Sequence, residues 1–111
     1  MVRGAGVLAV ISAGKVPLMT SVWDYAMAGA IPGGSKNNLD FVKDTVSWDE
    51  TVPDLLKLIL ADAQTSGGLL ISLPAIQAQE LVARLGAAGN SQAAIIGRID
   101  TGDPAIIVST S

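Results

Sequence analysis

The apolar residues of this chain come in short runs. The longest are about seven or eight residues, far below the roughly 18 or more that a membrane span needs. The pattern therefore reads as short strands and amphipathic helices, with no membrane partner. The 111 residues make one domain, 1–111, long enough to bury about two-thirds of its unfolded surface. Half of them are hydrophobic, which excludes a disordered tail. Seven Lys and Arg against ten Asp and Glu give a net charge of −3. The positive residues are scattered, so no nucleic-acid partner is expected. The chain has no Cys and no His. That removes thiol and Ser-His catalysis, His/Cys zinc sites and disulfides. Carboxylates, Lys, Ser/Thr hydroxyls and glycine backbone remain, and the sequence assigns no catalytic residue and no metal ligand.

Arg3 followed by Val7-Leu8-Ala9-Val10-Ile11 imitates a short secretory signal. The stretch is short for that role, and Ser12-Ala13-Gly14 is a poor cleavage site. Its β-branched residues suit a buried strand over 5–12, and a cytoplasmic location is expected. Thr20 or Ser21 can cap a short helix to about Ala28, with Gly29 as its left-handed stop. Residues 31–38 read as a loop, and Val46 and Trp48 as one face of a short strand. Thr51 can cap a second helix with Leu55, Leu58 and Ile59 as its buried stripe, extended by Leu56 and Leu60. A glycine loop over 62–68 leads into a strand over 69–73. A third helix spans about 75–88, its stripe being Ala78, Leu81, Val82 and Leu85. Residues 93–99 and 105–109 read as a hairpin across Asp100-Thr101-Gly102-Asp103-Pro104. The expected fold is α/β: a mixed sheet with helices packed on it, and a second half running strand, helix, strand, strand.

Two loops carry the chemistry. The first is Pro32-Gly33-Gly34-Ser35-Lys36-Asn37-Asn38. Its glycines admit close approach of a ligand, their N–H groups can point at an anion, and Lys36 can supply charge. The plain alternative is a tight turn that needs positive φ. No Gly-x-x-x-x-Gly-Lys-Ser/Thr occurs, so this is not a P-loop. The second is Gln64-Thr65-Ser66-Gly67-Gly68. Its hydroxyls, amide and glycines suit a phosphate or a neighbouring backbone. The plain alternative is a strand start where glycine avoids a clash and the hydroxyls bond their own backbone. The candidate ligand-binding residues are Gly33, Gly34, Ser35, Asn38, Thr65, Ser66, Gly67 and Gly68. Asp62 either holds its loop or faces a ligand. Asp24, Asp40, Asp44, Asp49, Asp54 and Glu80 read as solvated surface, and Trp23 and Trp48 as core or interface. Charged residues are only 15% of the chain, against about 25–35% on designed surfaces, so part of its surface is expected to lie against another domain or a second copy.

In this order, the two loops resemble the C-terminal domain of selenophosphate synthetase (selenide, water dikinase). Ile31 to Val42 is similar to the family's Pro-Gly-Gly-Thr-x-x-Asn-Leu segment, and Leu60 to Ile71 to its Asp-Pro-Gln-Thr-Ser-Gly-Gly-Leu-Leu segment. Ala94 to Ile99 resembles its Ala-x-Ile-Gly-x-Val strand. The match covers roughly residues 5–108, with Ser35 in place of Thr and Ala63 in place of Pro. The resemblance implies the C-terminal fold of the aminoimidazole ribonucleotide synthetase superfamily. It also implies an enzyme that makes selenophosphate, AMP and phosphate from selenide, ATP and water. In that family the N-terminal domain carries the reactive Cys or selenocysteine, its Lys, the aspartates for Mg²⁺ and ATP, and the homodimer contact. None of this is in the present sequence, and the chain reads as a C-terminal fragment, Met1 being an internal methionine or an introduced start. No cofactor is expected in the fragment itself, ATP and magnesium belonging to the full-length enzyme. The missing N-terminal ATP-binding domain is the expected partner, and the domain here completes the cleft between the two without catalysing alone. Three rivals stand beside this reading: a sibling ATP-dependent enzyme of the superfamily, a free-standing phosphate-ligand or protein-binding module, and a structural fragment whose glycines serve turns only.

Overall fold

The computed structural model describes residues 1–111. A short helix α1, Val2–Ala5, leads into strand β1, Leu8–Ser12, and a 3₁₀ turn over Ala13–Lys15. Helices α2, Val22–Met27, and α3, Gly33–Phe41, follow, then strand β2, Val46–Trp48. Helix α4 spans Asp54–Leu60 and helix α5 Ala75–Ala87, and strands β3, Gly97–Asp100, and β4, Ala105–Ser109, close the chain. The expected α/β class holds: the strands form one mixed sheet in the order β2-β4-β1-β3. β1 is parallel to β4 and antiparallel to β3, and β2 is parallel to β4. No helix is long and apolar enough to cross a membrane.

The core sits between α4 and one face of this sheet. Ala13, Val52, Leu56 and Val108 are its buried centre, with Ile11, Leu18, Val46, Trp48, Leu60 and Ile106 packed around them. Period-two alternation explains the strand contributions: Ile11 pairs with Val108 and Trp48 with Val108, so all three point to the same side. The core-facing row is Val52, just before α4, with Leu56 and Leu60 on it, spaced by four. Leu55, Leu58 and Ile59, expected as the stripe, are only half-buried. The expected cap also shifts. Pro53 takes the N-cap position with extended backbone, and Thr51 instead donates its N–H and hydroxyl to Asp49 Oδ1 at 2.9 and 2.5 Å. These two bonds hold the Asp49 carboxyl below the usual carboxylate range.

The other elements show how local chemistry and neighbours divide the work. α2 ends in a Schellman motif: Ala30 N–H reaches Tyr25 O at 3.0 Å and Gly29 N–H reaches Ala26 O at 3.0 Å, with Gly29 at φ 83° as expected. α5 ends the same way at Gly89. Two expectations for the second half fail. Residues 69–73 form no strand, because their backbone finds no partner. The second half therefore runs helix, strand, strand. β3 and β4 do not form a hairpin either, because β1 lies between them. Asp100 and Ala105 both pair with Leu8, so residues 101–104 must cross two strand spacings, about 10 Å. Gly102 crosses over the Leu8 side chain at φ 155°, where a β-carbon would lie 3.4 Å from Leu8 Cβ.

Candidate functional site

The first glycine segment is a helix rather than the expected loop. Pro32 presets its own φ at −60° as N-cap, and Gly33, Gly34 and Ser35 form the first turn of α3. Glycine weakens a helix interior, but the first turn has free N–H groups in any case. Packing against α4 compensates for the rest.

This placement brings the two glycine segments together. Ser35, 1% exposed, donates its hydroxyl to Asp62 Oδ1 at 2.5 Å. Asn38 Nδ2 donates to Ala61 O at 3.0 Å. The Gln64 side-chain amide donates to Asp62 Oδ2. Gly34 lies so close to the second segment that a β-carbon there would stand 3.3 Å from Ala63 Cβ. Asp62 is therefore the bolt of a latch: one carboxylate ties the start of α3 to the loop after α4. It does so through side-chain donors rather than backbone N–H groups. The Ser35 hydroxyl is buried inside the chain at the base of the site, and Asn38, although exposed, commits its Nδ2 to Ala61 O.

Gly33, Thr65, Ser66, Gly67 and Gly68 are exposed above the latch. Gly33, Gly67 and Gly68 have ordinary φ, and a β-carbon would meet nothing within 4 Å at Gly33 and Gly68, and only Gln64 Cβ at 3.7 Å at Gly67. Neither a positive-φ turn nor an internal clash asks for glycine at these three positions. Lys36, one residue beyond Ser35, stands in no ion pair and lines a depression of about 450 Å³ with Leu39, Asp40, Lys43 and Leu58. No group of three or more His, Cys, Asp or Glu stands together to hold a metal ion. The acids read as surface are all exposed.

The sequence does not single out the Ser35–Asp62 pairing. Its only local signals are a hydroxyl after two glycines and a carboxylate after an apolar helix. We expect Ser35→Ala to lower stability by about 1.5–3 kcal/mol, the range for a hydrogen bond to a charged group. In a double-mutant cycle with Asp62→Ala, read from urea midpoints, the second substitution adds little once the first is made. Simple additivity would mean that the two side chains do not act as a pair.

No protein-family model matches the chain. Among curated proteins, a selenide, water dikinase of Myxococcus xanthus is 42% identical over 108 residues, covering 97% of this chain and 30% of that protein. Another, from Clostridium botulinum, is 41% identical over 95 residues, covering 85% of this chain and 27% of that protein. The chain belongs to the selenide, water dikinase family. A more distant member from Pseudomonas straminea is 32% identical over 108 residues, 97% of this chain. The chain spans under a third of the length of these relatives and corresponds to their C-terminal part. The latch and its exposed glycines thus lie in the stretch that matches the C-terminal part of these relatives.

Proposed function

We propose that this chain is the C-terminal domain of a selenophosphate synthetase and completes the cleft in which the N-terminal domain handles ATP and selenide. The observation that supports this is the set of glycines the chain does not need for itself. Glycine loses more freedom on ordering than any other residue, yet nothing inside the chain crowds Gly33, Gly67 or Gly68. Glycine there suits an approach from outside, by a phosphate-bearing ligand or by the neighbouring domain. The latch holds the two segments at a constant spacing. Backbone N–H groups at Gly33, Gly67 and Gly68 and the hydroxyls of Thr65 and Ser66 then donate hydrogen bonds to phosphoryl oxygens, and Lys36 adds positive charge nearby. These groups position and neutralise; they break no bond. The reading carries a cytoplasmic location and a full-length homodimer with it.

The test uses a chimera in which this chain replaces the matching 30% of the Myxococcus xanthus relative. Gly67→Val with Gly68→Val should lower selenide-dependent release of phosphate from ATP by about 100-fold, the scale of a misplaced reacting group. The melting temperature should stay unchanged. Full activity in the double variant would mean that the cleft does not need glycine at these positions and would overturn the reading. The 111-residue chain alone should hydrolyse no ATP above a mock preparation. Tight phosphate or ATP binding by the chain alone would favour a free-standing binding module.

A further inference from the structure

Residues 63–73 make no backbone hydrogen bond to any other backbone group. The same stretch carries the most concentrated exposed apolar surface of the molecule: Leu69 is 91% exposed, Leu70 60%, Ile71 53% and Leu73 39%. In an extended segment Leu69, Ile71 and Leu73 fall on one side, which is the pattern of a strand with one face buried. Helix α5 follows after Pro74, and none of its residues is fully buried, although Ala78, Leu81, Val82 and Leu85 form the apolar stripe read from sequence. A compact protein of 11.3 kDa exposes about 5,700 Å². This chain exposes 7755 Å². The excess, about 2,000 Å², is more than the roughly 800 Å² that each partner buries in a standard interface.

We infer that Leu69–Leu73 is a strand whose hydrogen-bonding partner lies outside these 111 residues, and that this partner is a β-strand from the remaining part of the longer family chain. Three observations point to that occupant. The unpaired backbone asks for main-chain donors and acceptors, which a strand supplies and a helix or small ligand does not. The apolar side asks for an alternating apolar neighbour. And the relatives hold about 70% of their length outside the region this chain matches, so a partner is available in the same polypeptide at high effective concentration. The added strand then gives the stripe of α5 a sheet face to cover. The inference rests on the family reading only for the existence of the longer chain, and its readout involves no ligand, so the two can fail separately.

The experiment is amide hydrogen exchange on the 111-residue chain and on the full-length Myxococcus xanthus relative, comparing residues 69–73 with the stretch aligned to them. The expected result is near-intrinsic exchange in the chain alone at every concentration, and slowing of about 100-fold or more in the full-length relative. Fast exchange in both would overturn the inference. Protection in the chain alone that does not change with dilution would place the partner within these residues and overturn it. Protection that rises with concentration would assign the partner to a second copy and overturn it as well.

Discussion

Replacing Gly97 with valine is expected to unpair β3 from β1. A β-carbon built at Gly97 falls inside van der Waals contact of the Val10 carbonyl oxygen and 3.1 Å from Ile11 Cα. Both obstacles are main chain in the middle of the sheet, so neither can rotate away as a side-chain tip would. The strands must separate or shift, and four register pairs, from Leu8–Asp100 to Ile11–Gly97, go with them. The expected loss is about 4 kcal/mol, the exceptional range for one substitution. A domain of this length has about 5–15 kcal/mol in total. The urea midpoint reads the loss directly. Exchange of the Ser12 amide, bonded to Ile96 O at 2.8 Å beside the clash, should quicken in parallel. Gly97→Ala should fail nearly as badly, because the β-carbon itself makes the collision. Gly86→Ala is the contrast. Nothing lies within 4 Å of a β-carbon there, and helix α5 should gain helicity by about 0.5–1 kcal/mol. Equal midpoints for Gly97→Val and the parent chain would refute the close approach of β3 to β1.

Truncating Leu56 to alanine should have the second largest effect. Only nine of the 111 residues are buried, and four of them make the cluster that joins α4 to the sheet. Leu56 is the largest side chain among those four, so its loss opens a cavity where no alternative packing exists. Leu→Ala in such a place costs about 2–5 kcal/mol. The effect should reach beyond the core. α4 carries Ala61 and Asp62 at its end, and through them the latch to Ser35 and Asn38. Leu58→Ala, on the half-buried side of the same helix, should cost less than half as much. A comparison of guanidinium midpoints for the two variants tests this, and similar losses would mean that the core is not centred on Leu56.

The two predictions show where local reading of the sequence works and where it stops. The helix over 75–87 and the strand over 105–109 are legible because periodicity and end signals agree: Pro74 before, Gly89 after, an apolar stripe at 3.6 spacing, and a β-branched run in β4. The glycine stops at Gly29 and Gly89 are legible for the same reason, since positive φ is a property of one residue. Gly97 is harder to read. A glycine inside a β-branched run hints at close backbone approach, but which backbone approaches depends on the register with β1. The α3 segment also defeats local reading. Two glycines and two asparagines favour a loop by propensity, and only contact with α4 holds them helical.

What the residues determine alone is the class of fold, the positions of most elements, and the two glycine segments that tie the chain to the selenide, water dikinase family. These follow from short-range chemistry: side-chain periodicity, backbone preference and motif spacing. What only the tertiary structure decides is which strand lies beside which and which polar groups meet. β1 inserts between β3 and β4 because its two edges satisfy both ladders at once, and no signal within residues 97–109 reveals a strand about 90 positions earlier. Leu69–Leu73 has every local mark of a strand and is not one here, because a strand exists only when another backbone supplies its hydrogen bonds. Ser35 and Asp62 likewise become a latch only when α3 packs on α4, since a 2.5 Å hydrogen bond across 27 residues is a fact of packing and not of sequence order.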